Sequence, residues 1–198
     1  GWPSPLTPIQ LLWLNLLTDG APALALGVER GDPDIMKRSP RRIDEPIINR
    51  EMRLGMIVQT IAITTVVLIA FWLGLKEGEA LHGAGSTAAV TLARTMAFVT
   101  LSSSELFRAF TARSEFYSVF GIGIFSNRYM QYAVAASLVL LLAAVYVPFL
   151  QPVFQTVPLG REWLVMLPLL LVPSVAAEIT KAVMRLVDAR RAPAEAAA

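Results

Sequence analysis

Leu14-Asn15-Leu16-Leu17-Thr18-Asp19-Gly20-Ala21-Pro22 sets three oxygen-bearing side chains and two helix breakers near the middle of an otherwise apolar run, Pro5–Val28. That run is long enough to cross a bilayer, which takes about 20 mainly apolar residues. Asn15, Thr18 and Asp19 stand at i, i+3 and i+4, so a helix presents all three on one face. Pro22 removes a backbone hydrogen bond to the turn before it, and loosened backbone persists at membrane depth only where protein or a watered cavity satisfies it. A carboxylate at that depth is costly and points to an ion site, and broken helices are how transporters build such sites near the midplane. The plainer alternative is a Pro-kinked helix whose Asn, Thr and Asp hydrogen-bond to neighbouring helices.

Four further segments have spanning length: Leu54–Leu75, Ala88–Phe110, Tyr129–Leu150 and Trp163–Met184. The expected fold is an all-α membrane protein of five transmembrane helices, residues 1–187, with a disordered tail at 188–198. Composition agrees, because 55% of the 198 residues are apolar and only 16% charged. The mean hydropathy of +0.57 is too high for an ordinary soluble domain. Fourteen of the 17 Lys and Arg residues fall in Arg30–Arg53, Arg108–Arg128 and the C-terminal tail. By the positive-inside rule these are cytoplasmic, so the N-terminus is expected outside and the C-terminus in the cytoplasm. Pro5–Val28 is not a signal peptide, since no basic segment precedes it, and its start within a loop suggests that something upstream is missing.

The absence of Cys excludes thiolate metal sites and thiol nucleophiles, and the single His82 leaves neither a His metal cluster nor a Ser-His-Asp relay. Any metal site must therefore use oxygen. Glu105, in T-L-S-S-S-E-L-F-R-A-F, could complete such a site with Asp19, the Ser run helping to hydrate it; alternatively Glu105 pairs with Arg108 at i+3. Glu178 and Lys181 read as an interfacial ion pair, and Arg94 as an arginine that snorkels. Calcium takes 6 to 8 oxygens, whereas Asn15, Thr18, Asp19 and Glu105 offer at most six from side chains. They make half a site for two ions. No phosphate-binding Gly loop and no acidic cluster for Mg²⁺-nucleotide is present, so energy coupling must come from elsewhere.

The run P-I-Q-L-L-W-L-N-L-L-T-D-G-A-P-A-L-A-L-G-V-E-R-G-D-P-D-I-M-K-R-S-P-R, Pro8 to Arg41, resembles the sixth membrane helix and following cytoplasmic loop of P-type cation-transporting ATPases, most closely the calcium pumps of the sarcoplasmic-reticulum type. S-E-L-F-R-A-F-T-A-R-S-E and E-I-T-K are weaker matches to helices eight and ten of that fold. The resemblance implies that Asn15, Thr18 and Asp19 are calcium ligands of helix six, with Asp19 shared between two ions, and that Glu105 contributes from helix eight to the site that holds Thr18. The sodium/potassium and proton/potassium branches lack an Asn at the position of Asn15, which favours calcium. Arg108 departs from the animal intracellular pumps, and a guanidinium one turn from Glu105 would reduce transport to one ion.

The family's phosphorylated Asp, its nucleotide-binding and actuator domains and the ligands of helices four and five have no counterpart here. The chain thus reads as the C-terminal membrane part of an ATP-driven calcium pump, with no catalytic residue of its own. Its implied cargo is Ca²⁺, and Mg-ATP would act only through domains absent from this chain. The implied partners are the lipid bilayer and the rest of the pump, with no nucleic acid, and the expected location is the plasma membrane. The loop Glu29–Arg53 would touch the phosphorylation domain, or else lie as a basic loop against anionic lipid. Two other functions stay open: a free-standing pump-derived subunit or regulator, and a pump for Na⁺ or Mn²⁺, since oxygen ligands suit several hard cations.

Overall fold

A computed structural model describes residues 3–32, 34–37, 46, 48, 50–114 and 117–195, with residues 50, 51 and 187–195 described by backbone alone. Its elements are helical: α1 (Pro8–Asp19), α2 (Ala21–Gly27), a short 3-10 turn (Ile35–Lys37), α3 (Arg50–His82), α4 (Thr87–Thr111), α5 (Val119–Ile122), α6 (Arg128–Tyr146), α7 (Gln151–Phe154) and α8 (Trp163–Glu195). Among the described residues four stretches are long and apolar enough to cross a membrane: Pro8–Gly27, Met52–His82, Arg128–Tyr146 and Trp163–Leu186. The fifth, α4, has the length at 25 residues but a more polar composition. Its position explains the difference. It packs against α1, α2, α3, α6 and α8, so most of its surface meets protein rather than lipid, and Ser and Thr are tolerated there. The chain is a multi-pass membrane protein.

The start of α1 is set by Thr7 and Gln10. The two close a capping box in which the Thr7 N–H donates to Gln10 Oε1 at 3.0 Å and the Gln10 N–H donates to the Thr7 hydroxyl at 3.4 Å. Pro8 occupies the first helical position, where a missing N–H costs nothing. Gln10 is fully buried and its amide also donates to the Phe154 carbonyl at 3.0 Å, pinning α1 to α7. Beneath that contact lies the main core, in which Leu17, Met96, Phe98, Leu141 and Met166 meet. Outward faces of α3 and α8 carry Leu54, Ile57, Ile61, Trp72, Leu164, Leu171 and Ile179, apolar surface suited to lipid.

Beside α3 starting at Arg50 and α6 ending at Tyr146 rather than Leu150, three departures from expectation stand out. Helix α3 runs seven residues past Leu75 to His82, and Glu77 on this extension takes the Arg161 guanidinium at 2.8 Å from the α7–α8 connection. Pro5–Val28 is two helices rather than one. Helix α8 continues to Glu195, so residues 188–195 of the expected disordered tail are helical; Ala, Arg and Glu all have high helix propensity. Ala196–Ala198 and three loop cations, Arg38, Arg41 and Arg42, lie outside the described residues.

Candidate ion site at the broken helix

The break falls at Gly20, with φ −81° and ψ −107°, between the last residue of α1 and the first of α2. A Cβ at this position would lie 2.7 Å from the Leu16 carbonyl oxygen, closer than such atoms pack, so only glycine fits the turn. Breaking the ladder frees backbone carbonyls. That of Leu17 is taken by the Ser137 hydroxyl of α6 at 2.9 Å, a buried hydrogen bond between segments 120 residues apart. That of Thr18 has no partner four residues on, because Pro22 carries no N–H.

Asn15 and Asp19 lie on the exposed face of α1 together with Leu11, Leu12 and Leu16, whereas Leu17 on the opposite face is buried. Thr18 is half-buried; its hydroxyl donates to the Leu14 carbonyl at 3.1 Å and also lies 3.3 Å from Asp19 Oδ1. Three of the expected ligands therefore share one segment, and two of them point away from the bundle. Glu105 is held differently. Its Oε2 takes the Arg108 Nε–H at 3.0 Å, the i, i+3 alternative named above, and the carboxylate is 22% exposed. Among the described residues no hydrogen bond or ion pair joins Glu105 to Asn15, Thr18 or Asp19, and no cluster of three acidic or His side chains forms. The Ser run that precedes Glu105 is buried; Ser104 turns its hydroxyl to the Leu170 carbonyl of α8 at 3.5 Å.

Glu178 and Lys181 pair at 3.3 Å, and the Lys181 ammonium also donates to the carbonyls of Thr111 and Tyr117. This fastens α8 to the end of α4. Arg94 donates from Nε to the Ser4 carbonyl at 2.9 Å and so caps the approach to α1.

A second polar centre, which the sequence did not announce, lies one half-helix away from Asp19. Arg113 grips Glu29 with two bonds, Nε to Oε2 at 2.7 Å and Nη2 to Oε1 at 2.9 Å, its side chain fully buried. Its other N–H groups reach the carbonyls of Gly123 (2.9 Å) and Ile124 (3.3 Å) and the Ser126 hydroxyl. Asn127 donates to Glu29 Oε2 at 2.8 Å and to the Ala25 carbonyl at 3.0 Å. The one legible sign was Asn127 itself, the N-cap of α6; nothing in the spacing links Arg113 with Glu29, which are 84 residues apart.

The Arg113 guanidinium, aided by Asn127, holds the Glu29 carboxyl below the usual carboxylate range despite its burial. A lowered folded-state pKa gives stability that is complete above the unfolded value and is lost as pH falls through the folded one. Glu29→Gln is thus expected to lower the unfolding temperature of the detergent-solubilised protein at neutral pH. Its deficit against the wild type should shrink as pH drops from about 5 toward about 3. A constant deficit across that range would show that Glu29 acts without its charge.

The first membrane-length stretch of the bundle thus breaks beside a carboxylate, Asp19, an arrangement that ion transporters also use. Residues 3–183 match the family model described as cation transporting ATPase, C-terminus. The chain is 37% identical over 199 residues to Calcium-transporting ATPase 1 of Bacillus cereus, covering 91% of this chain and 21% of that protein. It is 38% identical over 177 residues to rat Calcium-transporting ATPase type 2C member 2, covering 89% of this chain and 17% of that protein. Against human Calcium-transporting ATPase type 2C member 1 it is 36% identical over 187 residues, 93% of this chain and 19% of that protein. The chain belongs to the family of C-terminal membrane domains of P-type cation-transporting ATPases. It spans about a fifth of the length of the curated relatives it matches.

Proposed function

We propose that this chain is the transport-domain part of an ATP-driven calcium pump and that Asn15, Thr18 and Asp19 supply one half of its intramembrane ion site. The observation that carries the reading is the break at Gly20. It leaves Asp19 exposed just past the midpoint of a membrane span, on a face shared with Leu11, Leu12 and Leu16. A carboxylate facing hydrocarbon is not sustainable. It requires a protein surface with further oxygens opposite it, and in a pump those come from the helices upstream of this chain. The freed Thr18 carbonyl adds another oxygen at the break. The relatives named as calcium transporters support calcium as the cargo, and ATP hydrolysis belongs to domains outside this chain.

The distribution of Lys and Arg supports an extracytoplasmic N-terminus and a cytoplasmic C-terminus; the pump resemblance implies export from the cytosol, which suits a plasma-membrane pump. Inside-out vesicles carrying the full-length protein test all of this together. ATP-dependent uptake of radiolabelled calcium is expected. Uptake of Na⁺ or Mn²⁺ in its place, with no competition by calcium, would replace the cargo.

The Arg108–Glu105 pair favours transport of one ion per cycle. With its charge already compensated at 3.0 Å, Glu105 contributes little to a second cation. Glu105→Gln is expected to shift the half-saturating calcium concentration by less than about threefold, and the calcium dependence of the wild type should have a Hill coefficient near 1. Loss of calcium-dependent turnover in Glu105→Gln would instead make it a ligand.

A further inference from the structure

Helix α2 is seven residues long, too short to hold itself in place by its own hydrogen bonds. It buries only Pro22 and Ala25, and its N-terminus has no side-chain cap. Yet its position fixes the far side of the break beside Asp19, about 10 Å from its other end at a rise of 1.5 Å per residue. What fixes it is at that other end. Asn127 caps the Ala25 carbonyl, and Glu29, two residues past the helix, is held by both Asn127 and the Arg113 fork. Arg113 has every N–H engaged, two toward Glu29 and the rest on Gly123, Ile124 and Ser126 of the α5–α6 connection. The near side of the break is held by the same helix that Asn127 begins, through Ser137 on the Leu17 carbonyl. Both edges of the discontinuity are therefore referenced to α6.

We propose that Arg113 is a positioning residue for the ion site: through Glu29 it locks the half-helix α2, and so sets the geometry of the broken segment that carries Thr18 and Asp19. This rests on the reading of Asn15, Thr18 and Asp19 as ion ligands. Lysine cannot replace the guanidinium, because a single ammonium has three donors and no planar fork to match a carboxylate while also serving two carbonyls and a hydroxyl.

The test uses the full-length pump in detergent micelles: wild type, Arg113→Lys, Glu29→Gln, the double variant and Asn127→Ser. Calcium-dependent ATP hydrolysis and thermal unfolding are measured on each. Half-saturating calcium is expected to rise at least about fivefold in both Arg113→Lys and Glu29→Gln, at the low end of ordinary coupling between sites. The rate at saturating calcium should stay above half that of the wild type. The double variant should be no worse than either single, as expected of two members of one contact. Half-saturating calcium within about twofold of the wild type, with a lowered unfolding temperature, would reduce Arg113 to a structural brace and overturn the proposal. If Arg113→Lys does not accumulate, Asn127→Ser is judged by the same criterion, since it removes two donors and leaves the ion pair. A wild type indifferent to calcium would overturn the ion reading and this inference with it; a responsive wild type with unaltered variants overturns this inference alone.

Discussion

Asp19→Asn in the full-length pump is expected to abolish calcium-dependent ATP hydrolysis at micromolar calcium while leaving the protein folded. Asparagine keeps the size and one oxygen of the side chain but removes its charge. Calcium binding by a site of few ligands depends on that charge, because hard cations are held by carboxylates and carbonyls rather than by shape alone. The loss of affinity should be about 100-fold or more, since even partners that merely orient a metal ligand are worth about 10- to 100-fold. Stability gives the control. Asp19 has an exposed side chain whose contact inside this chain is with Thr18, so the variant should unfold at the wild-type temperature or slightly above it. A burial cost of the carboxylate, if anything, is relieved by the substitution. Normal calcium-dependent turnover in Asp19→Asn would sink the proposed site. A folded but inactive protein, with calcium dependence partly restored at about a hundredfold higher concentration, would locate Asp19 at the ion.

Much of this site is readable one-dimensionally, because its decisive residues are consecutive. Asn15, Thr18, Asp19, Gly20 and Pro22 lie within one helical turn of each other or the next, and helix geometry alone puts the first three on a face and the last two at a break. Two facts needed coordinates. Whether Glu105 turns toward Asp19 or toward Arg108 is a choice between rotamers of one side chain, which no spacing decides. The lock on α2 depends on a loop between α4 and α6 folding back over 84 residues to reach Glu29. Local pattern carries no signal for such a contact. The sequence offers two breakers, Gly20 and Pro22, and the turn falls at Gly20, two residues before Pro22: a Cβ there would meet the Leu16 carbonyl oxygen at 2.7 Å, and Pro22 stops the ladder from closing over the break.

The fold's other dependence on small residues was written in the sequence as Gly74-Leu75-Lys76-Glu77-Gly78 and was not read there. Glycines four apart on α3 meet alanines four apart on α4, Ala89 and Ala93. A Cβ on Gly78 would lie 2.5 Å from the Ala89 Cα and 2.9 Å from its Cβ; one on Gly74 would lie 2.8 Å from the Ala93 Cα and 2.7 Å from Met96 Sδ. In a membrane no hydrophobic effect drives two helices together, so close backbone approach supplies the association through dispersion and complementary packing. Gly78→Leu must push α3 off α4, and α4 is the helix against which α1, α2, α3, α6 and α8 all pack. We expect the detergent-solubilised protein to lose about 3 kcal/mol or more of stability, the upper range for overpacking a tight interior.

The graded series makes the cause visible. Gly78→Ala should already be destabilising, although alanine is the better helix former by about 1 kcal/mol, because the atom it meets is backbone and cannot rotate away. Adding Ala89→Gly should recover only part of that loss: it removes the contact at 2.9 Å but leaves the Cα at 2.5 Å and the carbonyl oxygen at 3.0 Å. Gly74→Ala should cost less than Gly78→Ala, since the Met96 thioether it meets at 2.7 Å can move aside, although the Ala93 Cα at 2.8 Å cannot. Thermal unfolding of these four variants decides the matter. Full recovery in the double variant would mean that side chains, rather than the two backbones, set the distance between α3 and α4.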